Sequence, residues 1–194
     1  YAIKMTRPGG CTAIYEAVYL SLEEILKPVQ ERKALVLFSD GVDTCSHRTS
    51  EKETLELAKE TYATIYCVYY NTERDPVNQY RRPNSGRIPG QGYPPIGIPG
   101  GIGSNPDEYR QGRNYLKKLA EYSGGLVLDA LQTEDLRPAF DQIAKELSSQ
   151  YSIGYYPTNL KHDGKFRKIQ VKLKRPDLVA RTRSGYYAPK DKKP

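Results

Sequence analysis

Two oxygen-bearing residues stand where an alternating α/β chain most readily builds a ligand site. Asp40 follows the apolar run Ala34-Leu35-Val36-Leu37-Phe38 and Ser39, at the carboxyl end of an expected strand. Thr12 comes just before an expected helix, in the turn Pro8-Gly9-Gly10-Cys11-Thr12-Ala13. In open α/β sheets ligands bind beyond the carboxyl ends of the strands, so both residues fall on one rim. A carboxylate and a hydroxyl are hard oxygen ligands suited to Mg²⁺ or Mn²⁺. The plainer alternative is a helix cap at Thr12 and a turn residue at Asp40. Asp43 is a weaker candidate, and ordering of the loop alone is its alternative role.

The elements that must position these residues follow from hydrophobic spacing. Ile14, Val18, Leu22 and Ile25, with Leu26 beside them, predict a helix over 13–27 that Pro28 stops. The apolar run 34–38 predicts a parallel strand buried on both faces. Ser50-Glu51-Lys52-Glu53 fits a capping box that opens a helix to about Tyr62. Thr64 to Tyr70 is rich in β-formers and predicts a second strand. From Thr72 to about Gly112 the periodicity disappears, and 6 Pro and 7 Gly among residues 83–106 predict a loop. A helix at 107–123 closes at Gly124-Gly125, and Leu126-Val127-Leu128 predicts a third strand. Thr133 is expected to cap a helix whose apolar face is Leu136, Phe140, Ile143, Ala144 and Leu147. Alternating strands and helices over 1–150 imply a mainly parallel sheet covered by helices.

After Tyr151 the pattern changes. Tyr151–Tyr156, Phe166–Lys174 and Leu178–Arg183 predict three strands of a small antiparallel sheet over 151–194. Ile169, Val171 and Leu173 would line one face and lysines the wet face. From Lys161 onward there are 12 Lys/Arg against 3 Asp/Glu, whereas the remainder is nearly balanced at 18 against 20. Basicity therefore belongs to the tail. A charged wet sheet face explains it without nucleic acid, since no RNA-binding sheet signature or zinc finger is present. No apolar run approaches the length of a membrane span.

Gly9-Gly10-Cys11-Thr12-Ala13-Ile14-Tyr15-Glu16-Ala17-Val18, followed by Ala34 to Asp40-Gly41-Val42-Asp43-Thr44, resembles the second half of a von Willebrand factor A domain. The nearest likeness is to the A-domain-related family of acidobacterial proteins. Gln150 to Pro157, Gly164 to Pro176 and Gly185 to Pro189 are similar to that family's C-terminus. The resemblance implies a partial A-type α/β fold with an antiparallel β appendage. It also implies a metal-ion-dependent adhesion site, in which Thr12 and Asp40 match the threonine and the later aspartate that hold a divalent cation. The ion would keep an open position for a carboxylate of a partner protein. The Asp-x-Ser-x-Ser motif that supplies the remaining ligands does not occur in this chain, nor do the first strands of the sheet. The chain is therefore expected to be a fragment of a longer protein; the alternatives are that another chain supplies the missing strands, or that this is a divergent protein without the metal. If it folds alone, the strand at 34–39 becomes an apolar edge, and self-association is expected there.

Cys11 adjoins Thr12, and Cys45 follows Asp40 by five residues. If both loops share the rim, the two can form a disulfide, which suits a secreted, periplasmic or cell-surface setting. Otherwise they are two free thiols. Cys11, Cys45 and His47 lack the Cys-x₂-Cys spacing of zinc sites. Cys67 is a small core residue in mid-strand. His162 is expected to be solvated in a polar turn. The glycines at 97, 100, 101 and 103 do not join a strand to a helix as a phosphate-binding turn does. With two histidines and no Ser/His/Asp or Cys/His set, the expected function is a non-enzymatic, protein-binding, adhesion-like module. The rival readings are a metal-assisted phosphoryl hydrolase on the same rim and a purely structural envelope component.

Overall fold

The computed structural model of the chain describes residues 11–72 and 106–191. The loop expected over 72–112 lies largely outside the described residues, as do Gly9, Gly10, the loop glycines and the last three residues. Helix α1 runs Ile14–Leu20 and continues without a break into a π-helical turn, Ser21–Leu26. Strand β1 is Ala34–Ser39, helix α2 Glu51–Glu60 and strand β2 Thr64–Tyr69. Helix α3 is Pro106–Ser123, strand β3 Val127–Asp129 and helix α4 Leu136–Ser148. Two short strands follow, β4 Phe166–Lys168 and β5 Gly185–Tyr187.

The expected α/β class is present: a parallel sheet of order β1-β2-β3 flanked by helices, and a separate antiparallel β4-β5 pair. Ala34 pairs with Thr64 and Ser39 with Tyr69, while Cys67 pairs with Val127 and Tyr69 with Asp129. Strand β2 is central and carries the core. On one face Ile65, Cys67 and Tyr69 meet Val18 and Leu22 of α1, Leu55 and Ala58 of α2, and Leu116 and Leu119 of α3. On the other face Tyr66 and Val68 meet Ala139 and Ile143 of α4. Burying each large apolar side chain of this kind contributes about 1.5–3 kcal/mol.

Helix α2 opens on the expected capping box. The Glu53 N–H donates to Ser50 Oγ at 3.3 Å, and the Ser50 N–H donates to Glu53 Oε2 at 2.8 Å. Two close backbone approaches fix α3. A Cβ on Gly112 would lie 2.6 Å from the carbonyl carbon of Gly41, and Gly41 itself has φ +80°. A Cβ on Gly125 would lie 1.9 Å from Ile65 O. The first contact sets the loop after β1 directly against α3.

Several expectations are corrected. Strand β1 is not buried on both faces: among the described residues it is the outer strand, and Val36 and Phe38 are 38% and 50% exposed. Ile25 is 65% exposed and Leu26 packs inward instead, because the wider π winding rotates the residues beyond Ser21 relative to an α-helix. On α4, Phe140 and Ala144 point outward, and Ala139 packs with Leu136, Ile143 and Leu147. Thr133 is not the cap there. Asp135 instead accepts from the N–H groups of Leu131 and Gln132 at 2.9 and 3.0 Å.

The expected three-strand appendage is a two-strand pair. Tyr151–Tyr156 and Leu178–Arg183 are not strands, and of Phe166–Lys174 only Phe166–Lys168 is paired. Alternation supplies a face, but a strand also needs backbone partners. Here the available partner is Gly185–Tyr187, whose Gly185 lets the Arg167 carbonyl approach where a Cβ would lie 2.3 Å away.

Candidate functional site

The site is built where β1 hands the chain to the loop that follows it. Asp40 stands just past β1. Its Oδ1 accepts from the Val42 N–H at 3.0 Å, and its Oδ2 accepts from the Thr72 hydroxyl at 2.6 Å. Thr72 follows β2, and its hydroxyl also reaches the Tyr109 hydroxyl of α3 at 3.3 Å. Asp40 is thus fixed by its own turn, by the neighbouring strand's exit and, through Thr72, by α3. Further along the rim, Arg113 of α3 places Nη2 2.7 and 2.6 Å from the two oxygens of Asp129 and lies over the Tyr69 ring. Asp129 ends β3, so all three strand ends carry polar groups of the rim.

The second part of the site is the seam between this loop and the start of α1. The Cys11–Cys45 disulfide is formed. Beside it, the Thr44 and Cys45 N–H groups donate to Thr12 O at 2.8 and 3.2 Å, and the Thr12 N–H donates to Thr44 Oγ1 at 2.7 Å. The first turn of α1 has no cap from its own N-cap residue. Its N–H groups are met from across the seam. Tyr15 N donates to Asp43 Oδ2 at 3.3 Å, and Glu16 N donates to Ser46 Oγ at 3.3 Å. Asp43 also holds Ser46, through the N–H at 2.9 Å and the hydroxyl at 2.5 Å. A carboxylate at a helix N-terminus satisfies orphan donors and opposes the dipole.

In return, the Glu16 carboxylate accepts from the His47 and Arg48 N–H groups, both at 2.9 Å. Those bonds, that of Arg48 first, hold the Glu16 pKa below the ordinary glutamate value. The Tyr15 hydroxyl is pushed up, chiefly by burial and then by the charges of Glu51 and Asp43.

The disulfide and the Thr12–Thr44 bonds tie the turn carrying Thr12 to the loop that begins at Asp40, and the candidate residues have distinct duties. Thr12 is not the cap of α1, and its side-chain hydroxyl makes no hydrogen bond among the described residues. Among those residues no hydrogen bond joins Thr12 to Asp40. Asp43 orders its loop, as one reading expected, and caps α1 as well. The disulfide consumes both thiolates that a zinc reading of Cys11, Cys45 and His47 would need. Cys67 is a buried core thiol, and burial pushes its pKa up to about 12. His162 is not merely solvated: its Nδ1 lies 2.9 Å from Asp191.

Thr72, Tyr109, Arg113 and Ser46 were not foreseen. Asp129 could have been, since it ends an apolar strand as Asp40 does.

As a cation site the rim offers a carboxylate whose two oxygens each keep acceptor capacity, together with an exposed, unengaged hydroxyl. No cluster of three or more His, Cys, Asp or Glu able to hold a metal occurs among the described residues. This donor set suits a water-rich hard cation bound through one carboxylate, and it does not suit a closed all-protein cage. Among the described residues no helix is long and apolar enough to cross a membrane. Searches against family models, curated proteins and solved structures return no match for this chain.

Proposed function

We propose that the chain is a non-enzymatic, protein-binding module of the von Willebrand A type, which engages its partner at the rim formed by Asp40, Thr12 and the Cys11–Cys45 seam. The supporting observation is the construction of that seam. A loop that begins at Asp40 is tied covalently and by a run of backbone hydrogen bonds to the turn carrying Thr12. Mg²⁺ or Mn²⁺ would be held there by the Asp40 carboxylate, directly or through water, and by the Thr12 hydroxyl. When bound, it would supply a positive centre for a partner's carboxylate. The disulfide accords with a secreted, periplasmic or cell-surface protein.

Thermal unfolding tests this reading. The protein is measured in EDTA, then with added Mg²⁺ or Mn²⁺, beside Asp40→Ala. A cation bound only by the folded state adds about 2.7 kcal/mol at a hundredfold excess over Kd. An upward shift that Asp40→Ala lacks is the expected result. No shift, or an equal shift in both proteins, would remove Asp40 from any cation role.

A further inference from the structure

We propose that the Cys11–Cys45 bridge is a redox control on the rim: closure of the bridge and cation binding by Asp40 and Thr12 are linked, so that each favours the other. The inference rests on the cation-binding reading given above. The two oxygen ligands reach the rim by different routes. Asp40 is held by groups that owe nothing to the bridge. The Val42 N–H and the Thr72 hydroxyl meet its two oxygens, and Gly41 lies backbone to backbone against Gly112 of α3. Thr12 has no such support. It precedes α1, and its described hydrogen bonds all go to Thr44 and Cys45. Those bonds and the bridge form one rung, since Cys11 adjoins Thr12 and Cys45 adjoins Thr44. Thr12 is exposed, so water competes for every bond of the rung except the covalent one.

Opening is thiol–disulfide exchange with a small dithiol. A thiolate of the dithiol attacks one sulfur of the bridge, the S–S bond breaks, and the other cysteine leaves as a thiolate that takes up a proton. The second thiol of the reductant then displaces the first cysteine. The dithiol ends as a cyclic disulfide, and the protein holds two thiols. The rest of the seam does not pass through Thr12. The Tyr15 N–H still meets Asp43, and the His47 and Arg48 N–H groups still meet Glu16. Opening therefore bears hardest on the Thr12 turn and frees the segment that carries the hydroxyl, while Asp40 keeps its place. Losing one preorganised ligand of two weakens a cation site without abolishing it. By reciprocity, whatever factor the bridge adds to cation affinity, the cation adds to the stability of the bridge.

The test is a pair of measurements on the full chain. The first is the Mn²⁺ Kd, read from the paramagnetic resonance of free Mn²⁺, for the bridged protein and for the double replacement Cys11→Ser with Cys45→Ser. The Kd should rise about tenfold without the bridge. The second is the midpoint of the bridge in dithiothreitol redox buffers, with and without Mg²⁺, a hard cation that leaves thiols alone. A tenfold difference in affinity corresponds to about 30 mV for this two-electron couple, so saturating Mg²⁺ should move the midpoint that far to the negative. This measurement uses the wild-type chain and does not need the serine variant to fold. The shift should vanish in Asp40→Ala. Thr12→Ala should bind Mn²⁺ equally with the bridge open or closed, because the bridge acts through Thr12. Equal Kd values with and without the bridge, together with an unmoved midpoint, would overturn the linkage and leave the cation reading standing. A bridge effect undiminished in Thr12→Ala would overturn it too. Absence of cation binding by the bridged protein would overturn both.

Discussion

At the scale of single residues, Asp43 does the most with the least. It lies 28 residues from Tyr15 in the chain, yet its carboxylate meets the N–H groups at the start of α1 while holding Ser46 in place. A helix normally takes its cap from the residue before it. Here the adjoining Thr12 and Ala13 leave that duty to a distant loop. Asp43→Ala should therefore cost about 1 kcal/mol, within the 0.5–2 kcal/mol range of lost caps. Asp43→Asn keeps an acceptor oxygen and should lose less. Chemical denaturation midpoints of the two variants check the order. An equal loss in both would mean that charge matters more than the acceptor.

At the scale of elements, α3 is the helix that organises the rim. It reaches the loop after β1 through Gly112 and Gly41, Thr72 through Tyr109, and Asp129 through Arg113. The Gly112–Gly41 approach is backbone against backbone, so no side-chain rotation can relieve an added methyl. Gly112→Ala gains helix propensity of about 1 kcal/mol. It should nevertheless be destabilising, because its Cβ would lie 2.9 Å from the Asp40 carbonyl as well as 2.6 Å from Gly41. A lower thermal midpoint is expected. If Asp40 holds a cation, affinity should fall with it, since the strained turn is the one that aims Asp40. A stabilised Gly112→Ala would show that the two backbones have room to part.

At the scale of the whole molecule, the Cys11–Cys45 bridge closes a loop of 34 residues that contains α1 and β1. In the chain-entropy account, a loop of that length is worth about 3–4 kcal/mol. The bridge bears most on this side of the sheet, since β1 lies at its end among the described residues and α1 enters the fold through this seam. Reduction with a dithiol, or the double replacement Cys11→Ser with Cys45→Ser, should lower stability by that order. Hydrogen exchange should rise first in α1 and the 40–48 loop, while β2, buried on both faces, stays protected. Uniform loss of protection across all elements would instead make the bridge a global staple.

The order and type of the helices and strands over 14–148 were legible in the sequence, because helical spacing, β-branched runs and capping residues are local properties. The place of Asp40 just past β1 was legible too, because the carboxyl end of an apolar strand is a topological position that Ser39 and the run before it mark. What the sequence could not decide was which neighbour each backbone group meets. The apolar run 34–38 and the run 64–69 look alike as strings, but among the described residues tertiary pairing put the second between two strands and the first beside one. The alternation over 166–174 was real, yet only Phe166–Lys168 formed a strand, because pairing depends on Gly185–Tyr187, far along the chain. Asp43 and Ser46 could be read only as loop residues until folding brought them against α1. Local propensity is written residue by residue, whereas burial and hydrogen-bond partners belong to pairs of distant segments, and those pairs exist only in the folded chain.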